Sequence, residues 1–117
     1  MTENWSKQSI VDAYNLDRRD FSREYFSGLD LREITLTRAD LIGADLSGAN
    51  LTWSDLDFSS WPLWCGSIGV KVDKKIAVQL MYHACALDCD DPEYREARAK
   101  VLDFANQMHR PDVKRLE

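Results

Sequence analysis

The sequence has no lysine or arginine between Ala39 and Val70, although four aspartates lie there. It also has no apolar run long enough to span a bilayer, and its start lacks the basic and apolar regions of a signal peptide. Its three cysteines are an odd number, which argues against a disulfide framework and predicts reduced thiols. We therefore expect a cytoplasmic protein that does not associate with membranes.

The net charge of -5 argues against a surface that binds nucleic acid directly, and it arises almost entirely from the base-free segment. Residues 1–38 carry seven acids and six bases, and residues 71–117 carry nine of each. A chain of 117 residues can bury one modest core, so we expect one structural domain.

Leucine recurs every five residues in the base-free segment, at Leu41, Leu46, Leu51 and Leu56. A step of five scatters side chains around an α-helix and alternates them between the two faces of a strand. The leucines can share one interior only if the backbone bends once in every five residues. The residue two places before each leucine then also points inward and must be small, as Ala39, Ala44, Ala49 and Ser54 are. The same register extends upstream to Phe21, Phe26, Leu31 and Leu36.

The stretch ADLIGADLSGANLTWSDLDF resembles the pentapeptide-repeat family, because consecutive units agree at three of five positions. The resemblance implies a mainly β fold with α caps: a right-handed, four-sided β-helix of about two coils, followed by a C-terminal helical hairpin. We predict an N-terminal cap over residues 1–18, the β-helix over 19–63, and a C-terminal helical cap or dimerisation region over 64–117.

Capping signals predict helices at both ends of the repeat. Ser6 is a possible N-cap for a short helix that carries apolar residues, and Asp73 can cap a helix running to about Leu87. Asp91 followed by Pro92 begins another helix. The expected apolar face of the second helix is Ile76, Leu80, Ala84 and Leu87, and that of the third is Tyr94, Ala97, Val101, Ala105 and Met108. The sequence leaves open whether these faces pack on the coil or form a homodimer.

Large aromatic and apolar residues mark the end of the repeat. The segment WPLWCGSIGVKV breaks the five-residue rhythm, and we interpret it as the transition out of the coil. Trp61, Leu63 and Trp64 either close the floor of the core or form an exposed patch that anchors a partner. Trp53 and Phe58 occupy outward positions, so the C-terminal helices or another molecule must cover them.

Residues that could carry chemistry are few. His83, Cys85 and Cys89 lie close together in the sequence, and Cys65 could complete a zinc set, but the spacing matches no standard finger or ribbon. No glycine-rich phosphate loop is present. We therefore predict a protein without catalytic activity, metal or cofactor.

The function that this sequence favours is binding of a partner protein through an acidic surface flanked by aromatics. The residues predicted to form it are Asp40, Asp45, Asp55, Asp57, Trp53, Phe58, Trp61 and Trp64. The resemblance to family members that protect DNA gyrase suggests an alternative, a DNA-mimic inhibitor of a nucleic-acid-handling protein such as a topoisomerase or a phage-targeting defence nuclease. A metal- or thiol-dependent enzyme at Cys65, His83, Cys85 and Cys89 is a third.

Overall fold

The computed structural model describes residues 4–117. Its regular elements are helical: α1 (Lys7–Asn15), a short 3₁₀ turn (Cys65–Ser67), α2 (Lys74–Cys85) and α3 (Pro92–Ala105). The chain divides into two compact units, one ending at Asp73 and the other spanning Lys74–Glu117. The first three residues of the predicted N-terminal cap lie outside the described residues.

The middle of the first unit folds back beside itself every twenty residues. Single parallel bridges join Asp20 to Asp40, Tyr25 to Asp45, Asp30 to Asn50, and Thr35 to Asp55. Backbone hydrogen bonds follow the same spacing, as between Phe21 N and Asp40 O at 2.9 Å. Four five-residue segments therefore complete one return of the chain.

The backbone bends once in every segment, as the sequence predicts. Every fifth residue has a positive φ, a left-handed conformation that disfavours side chains other than glycine. We call these positions corners. They are Arg23, Gly28, Glu33, Arg38, Gly43, Gly48, Trp53 and Phe58, with φ between 61° and 73°.

The bends bring the predicted inward residues into one core. The central residues from Phe21 to Leu51 are fully buried, and Leu56 is 7% exposed. Ala39, Ala44, Ala49 and Ser54, the small residues two places earlier, are also buried. The prediction that Leu31 through Leu56 share an interior is confirmed.

The prediction of a mainly β fold, with a right-handed four-sided β-helix, is wrong. Across residues 4–117 no strand or sheet forms, and the pairing between returns consists of isolated bridges. The physical reason is the shortness of each segment, since a turn follows every central residue and one residue per segment is left to form a bridge. A ladder of consecutive pairs, which defines a strand, cannot develop.

The N-terminal segment closes the first repeats. Ser6 caps α1 as predicted, because its hydroxyl accepts from Ser9 N at 3.1 Å and Ser9 Oγ accepts from Ser6 N at 2.8 Å. The Trp5 ring packs edge-on against Phe21 and Phe26, with centroids 6.0 and 5.6 Å apart. Its Nε1 donates to Glu24 Oε2 at 2.9 Å, so Trp5 satisfies a carboxylate at a position that holds a small residue from Ala39 to Ser54.

In the second unit α2 and α3 pack together, and α3 satisfies the last carbonyls of α2. Tyr94 Oη donates to Ala84 O at 2.6 Å, and Arg98 Nε donates to Cys85 O at 2.7 Å. Asp91 caps α3 as predicted, accepting from Glu93 N at 2.8 Å. The first backbone amides of α3 therefore have a hydrogen-bond acceptor at the end of the loop.

Two predictions about these helices are wrong. The buried residues of α2 are Ile76, Val78, Tyr82 and Cys85, whereas Leu80, Ala84 and Leu87 of the predicted face are exposed. The helix ends at Cys85, so Leu87 lies beyond it, and the exposure of Leu80 and Ala84 means that the chain covers another face of α2. Asp73 does not cap α2, because within the described chain both oxygens of its carboxylate are buried without a hydrogen-bond partner.

Candidate partner-binding surface

The predicted site aspartates stabilise turns. Asp40 Oδ1 accepts from Ile42 N at 2.9 Å, Asp45 Oδ1 from Ser47 N at 3.0 Å, and Asp55 Oδ1 from Asp57 N at 3.0 Å. The same side-chain-to-backbone bond is made at Asp20, Asp30 and Asn50. A short polar side chain that accepts from the amide two residues on is a recurrent turn device. The repeat itself therefore accounts for an acid before the central leucine, and asparagine does equally well.

Trp53 and Phe58 stand at two successive corners and remain largely exposed. Trp53 is 68% exposed and Phe58 is 61% exposed, and both have a φ of 62°. The guanidinium of Arg38, twenty residues earlier, lies over the Phe58 ring with its Cζ 4.9 Å from the centroid. A cation over a ring face at that distance is attractive. Arg38 therefore places a positive charge beside residues 39–70, which contain no lysine or arginine of their own.

The residues after Phe58 divide between core and surface. Pro62 is fully buried, Trp61 is half-buried, and Leu63 is 98% exposed, so of the two alternatives the core floor is excluded for Leu63. Trp64 is half exposed, and its Nε1 donates to Ala44 O at 2.9 Å. Trp64 N donates to Pro62 O at 3.0 Å, so the backbone makes a tight turn around the exposed Leu63.

The segment from Trp64 to Lys71 extends the pairing beyond the predicted end of the repeat. Leu46 N donates to Gly66 O at 2.7 Å, and Asn50 bridges to Lys71. A Cβ at Gly66 would lie 2.4 Å from Trp64 ring atoms and 2.6 Å from Ala44 O. Glycine at that position lets the Trp64 ring lie flat on the backbone, so this Trp is anchored at one edge and exposed at the other.

A sequence model described as pentapeptide repeats matches residues 20–57 in eight copies. Its eight copies agree with the eight left-handed corners from Arg23 to Phe58. The chain carries a pentapeptide-repeat region. Pentapeptide repeats are commonly protein-interaction modules, and the family is generally non-enzymatic. A search among curated proteins found no match.

This chain brings together only part of the predicted site. Asp55 and Asp57 lie between the Trp53 and Phe58 corners, on one segment. Asp40 and Asp45 belong to two other segments of the same return. Because a corner separates successive segments, one flat partner surface cannot contact all four acids equally.

Sequence reasoning missed the residues that neighbour these aromatics from the preceding return. A surface groove is lined by Lys7, Asp30, Arg32, Glu33, Asn50, Thr52 and Trp53. The backbone places Glu33 directly beside the Trp53 corner, since Glu33 N donates to Thr52 O at 3.0 Å. The signal that could have found them is the twenty-residue return, which places Glu33 beside Trp53. An analysis of one five-residue segment at a time does not use it.

Asp30 and Arg32 form an ion pair in this groove, and their opposite charges cancel. Arg32 Nε and Nη2 donate to the two Asp30 oxygens at 2.8 and 2.7 Å. These hydrogen bonds, with the Arg32 backbone amide, lower the pKa of Asp30 to about 2. The same hydrogen bond raises the pKa of Arg32. The pair therefore stays ionised well into acid.

The cysteine and histidine residues do not assemble. Cys85 is buried, and Cys65 and Cys89 are exposed free thiols. Within residues 4–117 no group of three or more His, Cys, Asp or Glu side chains is placed to hold a metal ion. None of the helices in that part of the chain combines the length and apolar character needed to cross a membrane.

Proposed function

We propose that this chain acts by binding a partner protein and catalyses no reaction. The binding surface centres on the segment from Trp53 to Phe58, with Asp55 and Asp57 between the two rings. Trp61 and Trp64 extend it along the chain, and Asp40 and Asp45 lie on two other segments of the same return.

The observation that carries this proposal is the cost of the two aromatic corners. Glycine fills equivalent corners at Gly28, Gly43 and Gly48. A side chain in the left-handed conformation costs about 1–2 kcal/mol, and an aromatic ring kept in water gains little burial in return. Trp53 and Phe58 accept both penalties. Strained, exposed aromatics of this kind are typical of binding surfaces.

The surface has the composition of an interaction site. Two rings can each bury a large apolar area, and Trp in particular is enriched among residues that dominate binding energy. Asp55 and Asp57 add negative charge between the rings, which favours a partner with a basic patch. The partner would then cover the apolar surface and select by charge.

The experiment begins with capture of the partner from a cell lysate on the tagged chain, followed by its identification and purification. Calorimetry then compares the affinity of the parent chain with that of Trp53→Gly. We expect at least a tenfold loss, because the variant removes the ring and keeps a residue suited to the corner. Ile42→Ala is the matched control, since Ile42 is an exposed apolar residue on another segment. Equal affinity of the parent and Trp53→Gly contradicts the proposal.

The DNA-mimic alternative makes a different prediction. In that case the aspartates act as phosphate analogues, and changing Asp40, Asp45, Asp55 and Asp57 together to Asn abolishes binding to the partner. Asn keeps the turn bond, as Asn50 does with Thr52 N at 3.0 Å. Under our proposal the same variant weakens binding less than Trp53→Gly does, and duplex DNA does not displace the chain.

The homodimer through the C-terminal helices, and a thiol- or metal-dependent activity, stay predictions from the sequence. Sedimentation of the purified chain measures the first. Metal analysis with Cys-to-Ser variants measures the second.

A further inference from the structure

The corners at Trp53 and Phe58 are equivalent in backbone but different in chemistry. Glu33 precedes Trp53 by one return, and Arg38 precedes Phe58 in the same way. Glu33 N donates to Thr52 O at 3.0 Å, and Arg38 N donates to Asp57 O at 2.9 Å. All four corner residues have φ between 62° and 65°. The two pairs therefore have matching backbones, and their side chains start from equivalent points.

Arg38 shows what such a corner can do. Its guanidinium covers the Phe58 ring at 4.9 Å, so the chain supplies a cation to its own aromatic. At the neighbouring corner the corresponding residue is Glu33, which is an anion. Trp53 offers the better cation-binding ring, and the chain places a carboxylate rather than a guanidinium beside it.

The Glu33 carboxylate lies near enough to Arg32 to help raise the pKa of that guanidinium, but the two form no direct pair. Across residues 4–117 this carboxylate makes no hydrogen bond and no ion pair within 4.0 Å, and the Trp53 ring has no ring or cation partner. The other charges of the groove are already engaged. Arg32 is held by both oxygens of Asp30, and the Lys7 ammonium donates to Arg32 O.

We propose that the Glu33–Trp53 corner receives an arginine side chain of the partner protein. This inference rests on the proposed function and adds the chemistry of its central contact. A guanidinium can stack on the indole face while its N–H groups pair with the Glu33 carboxylate. Arginine suits the corner better than lysine, because it is planar and weakly hydrated.

The first test uses N-acetylarginine amide as the probe and the indole N–H resonance of Trp53 as the readout. We expect a saturable shift at Trp53 and at the Glu33 amide. N-acetylcitrulline amide has nearly the same shape without the charge, and we expect it to bind at least fivefold more weakly. Equal binding of the two probes, or no shift at Trp53, overturns the inference.

Two substitutions at one corner sharpen the test. Glu33→Gln removes the anion and should weaken arginine binding at least threefold. Glu33→Arg should abolish it, because the new guanidinium would cover Trp53 as Arg38 covers Phe58. Arginine fits the corner, since Arg23 and Arg38 have the same left-handed backbone. Unchanged binding in Glu33→Arg overturns the inference.

The partner affinity separates this inference from the proposed function. If Trp53→Gly and Glu33→Gln both weaken binding of the purified partner, both stand. Loss in Trp53→Gly without loss in Glu33→Gln leaves the proposed function standing and overturns the arginine contact. No loss in Trp53→Gly overturns the proposed function, whether or not the free arginine probe binds.

Discussion

The repeat region and the helical pair use different rules to decide which residues are buried. In the repeat, the central residues from Phe21 to Leu51 are fully buried at a strict interval of five. In α2 the buried residues are irregularly spaced, and α3 buries only Ala105 of its own length. A corner fixes the direction of each segment, whereas a helix exposes residues around a full circle and neighbouring chain decides which side is covered.

The tail illustrates that second rule. Tyr82 Oη donates to Lys114 O at 2.5 Å, and Asn106 exchanges two hydrogen bonds with Leu116 at 2.8 and 2.9 Å. Burial of Tyr82 thus involves a segment thirty-two residues away. Periodicity within the helix contains no information about that contact.

The largest expected effect is a cavity in the repeat core. Leu46→Ala should lower the free energy of unfolding by about 2–5 kcal/mol, because Leu46 is fully buried between returns. Leu80→Ala in α2 should cost no more than about 1 kcal/mol, because its side chain is 38% exposed. Urea titration of both variants measures the difference. Equal losses would show that the two regions do not differ in this way.

A second comparison concerns close packing of backbone in the repeat. Gly66→Ala should cost about 1–3 kcal/mol, since the new methyl group meets the Trp64 ring and Ala44 O. It should also change the Trp64 fluorescence. Gly48→Ala has open space around its Cβ and should cost about 1 kcal/mol, from the left-handed backbone alone. A Gly66→Ala variant with unchanged stability and fluorescence would contradict this packing.

A third comparison uses a type of hydrogen bond that occurs in both regions, from a backbone amide to the aspartate two residues earlier. Asp45 accepts from Ser47 N in a repeat turn, and Asp91 accepts from Glu93 N at the start of α3. Asp45→Ala and Asp91→Ala should each cost about 1 kcal/mol, as loss of a turn or capping bond does. Asp45→Asn should be nearly neutral. Thermal unfolding measures all three, and an Asn variant as unstable as the Ala variant would show that charge, not the bond, matters at Asp45.

The smallest expected effect is a dependence on pH at Asp30 in the repeat and Asp112 in the tail. Hydrogen bonds from Arg32 lower the pKa of Asp30 to about 2, and a hydrogen bond from Arg110 lowers the pKa of Asp112. An unfolded aspartate titrates near 3.9, so roughly above that pH the full stabilisation is present. It is lost as the pH falls from about 4 to about 2.

Thermal unfolding midpoints between those pH values measure this loss. Asp30→Asn should flatten the dependence, with Asp12→Asn as the control because Asp12 lies outside the Asp30–Arg32 pair. A dependence that is the same in parent and Asp30→Asn would contradict the assignment.

The sequence predicted the bend and the core of the repeat because both follow from a local rule. An interval of five admits no other common interior, and Ala39, Ala44 and Ala49 marked the second inward position. The sequence did not predict the absence of strands, because that depends on how many residues per segment remain free to pair. It also missed the buried face of α2, which depends on distant contacts.

The candidate site was predictable in part for the same reason. The outward positions of Trp53 and Phe58 follow from the register of five. Their neighbours Glu33 and Arg38 follow from the register of twenty, which sets the chemistry of each corner but is invisible within one segment. The turn bonds of the aspartates are local to each segment, and asparagine makes the same bond at Asn50.

The free energy of unfolding of Trp53→Gly tests the central claim most directly. The account holds that the Trp53 ring serves a partner rather than the fold. Replacing it by glycine, which relieves the strain of the left-handed backbone, should therefore leave the free energy of unfolding unchanged or raise it by up to about 2 kcal/mol. A loss of several kcal/mol in urea titration, comparable to that of Leu46→Ala, would place the ring in the core and contradict the account.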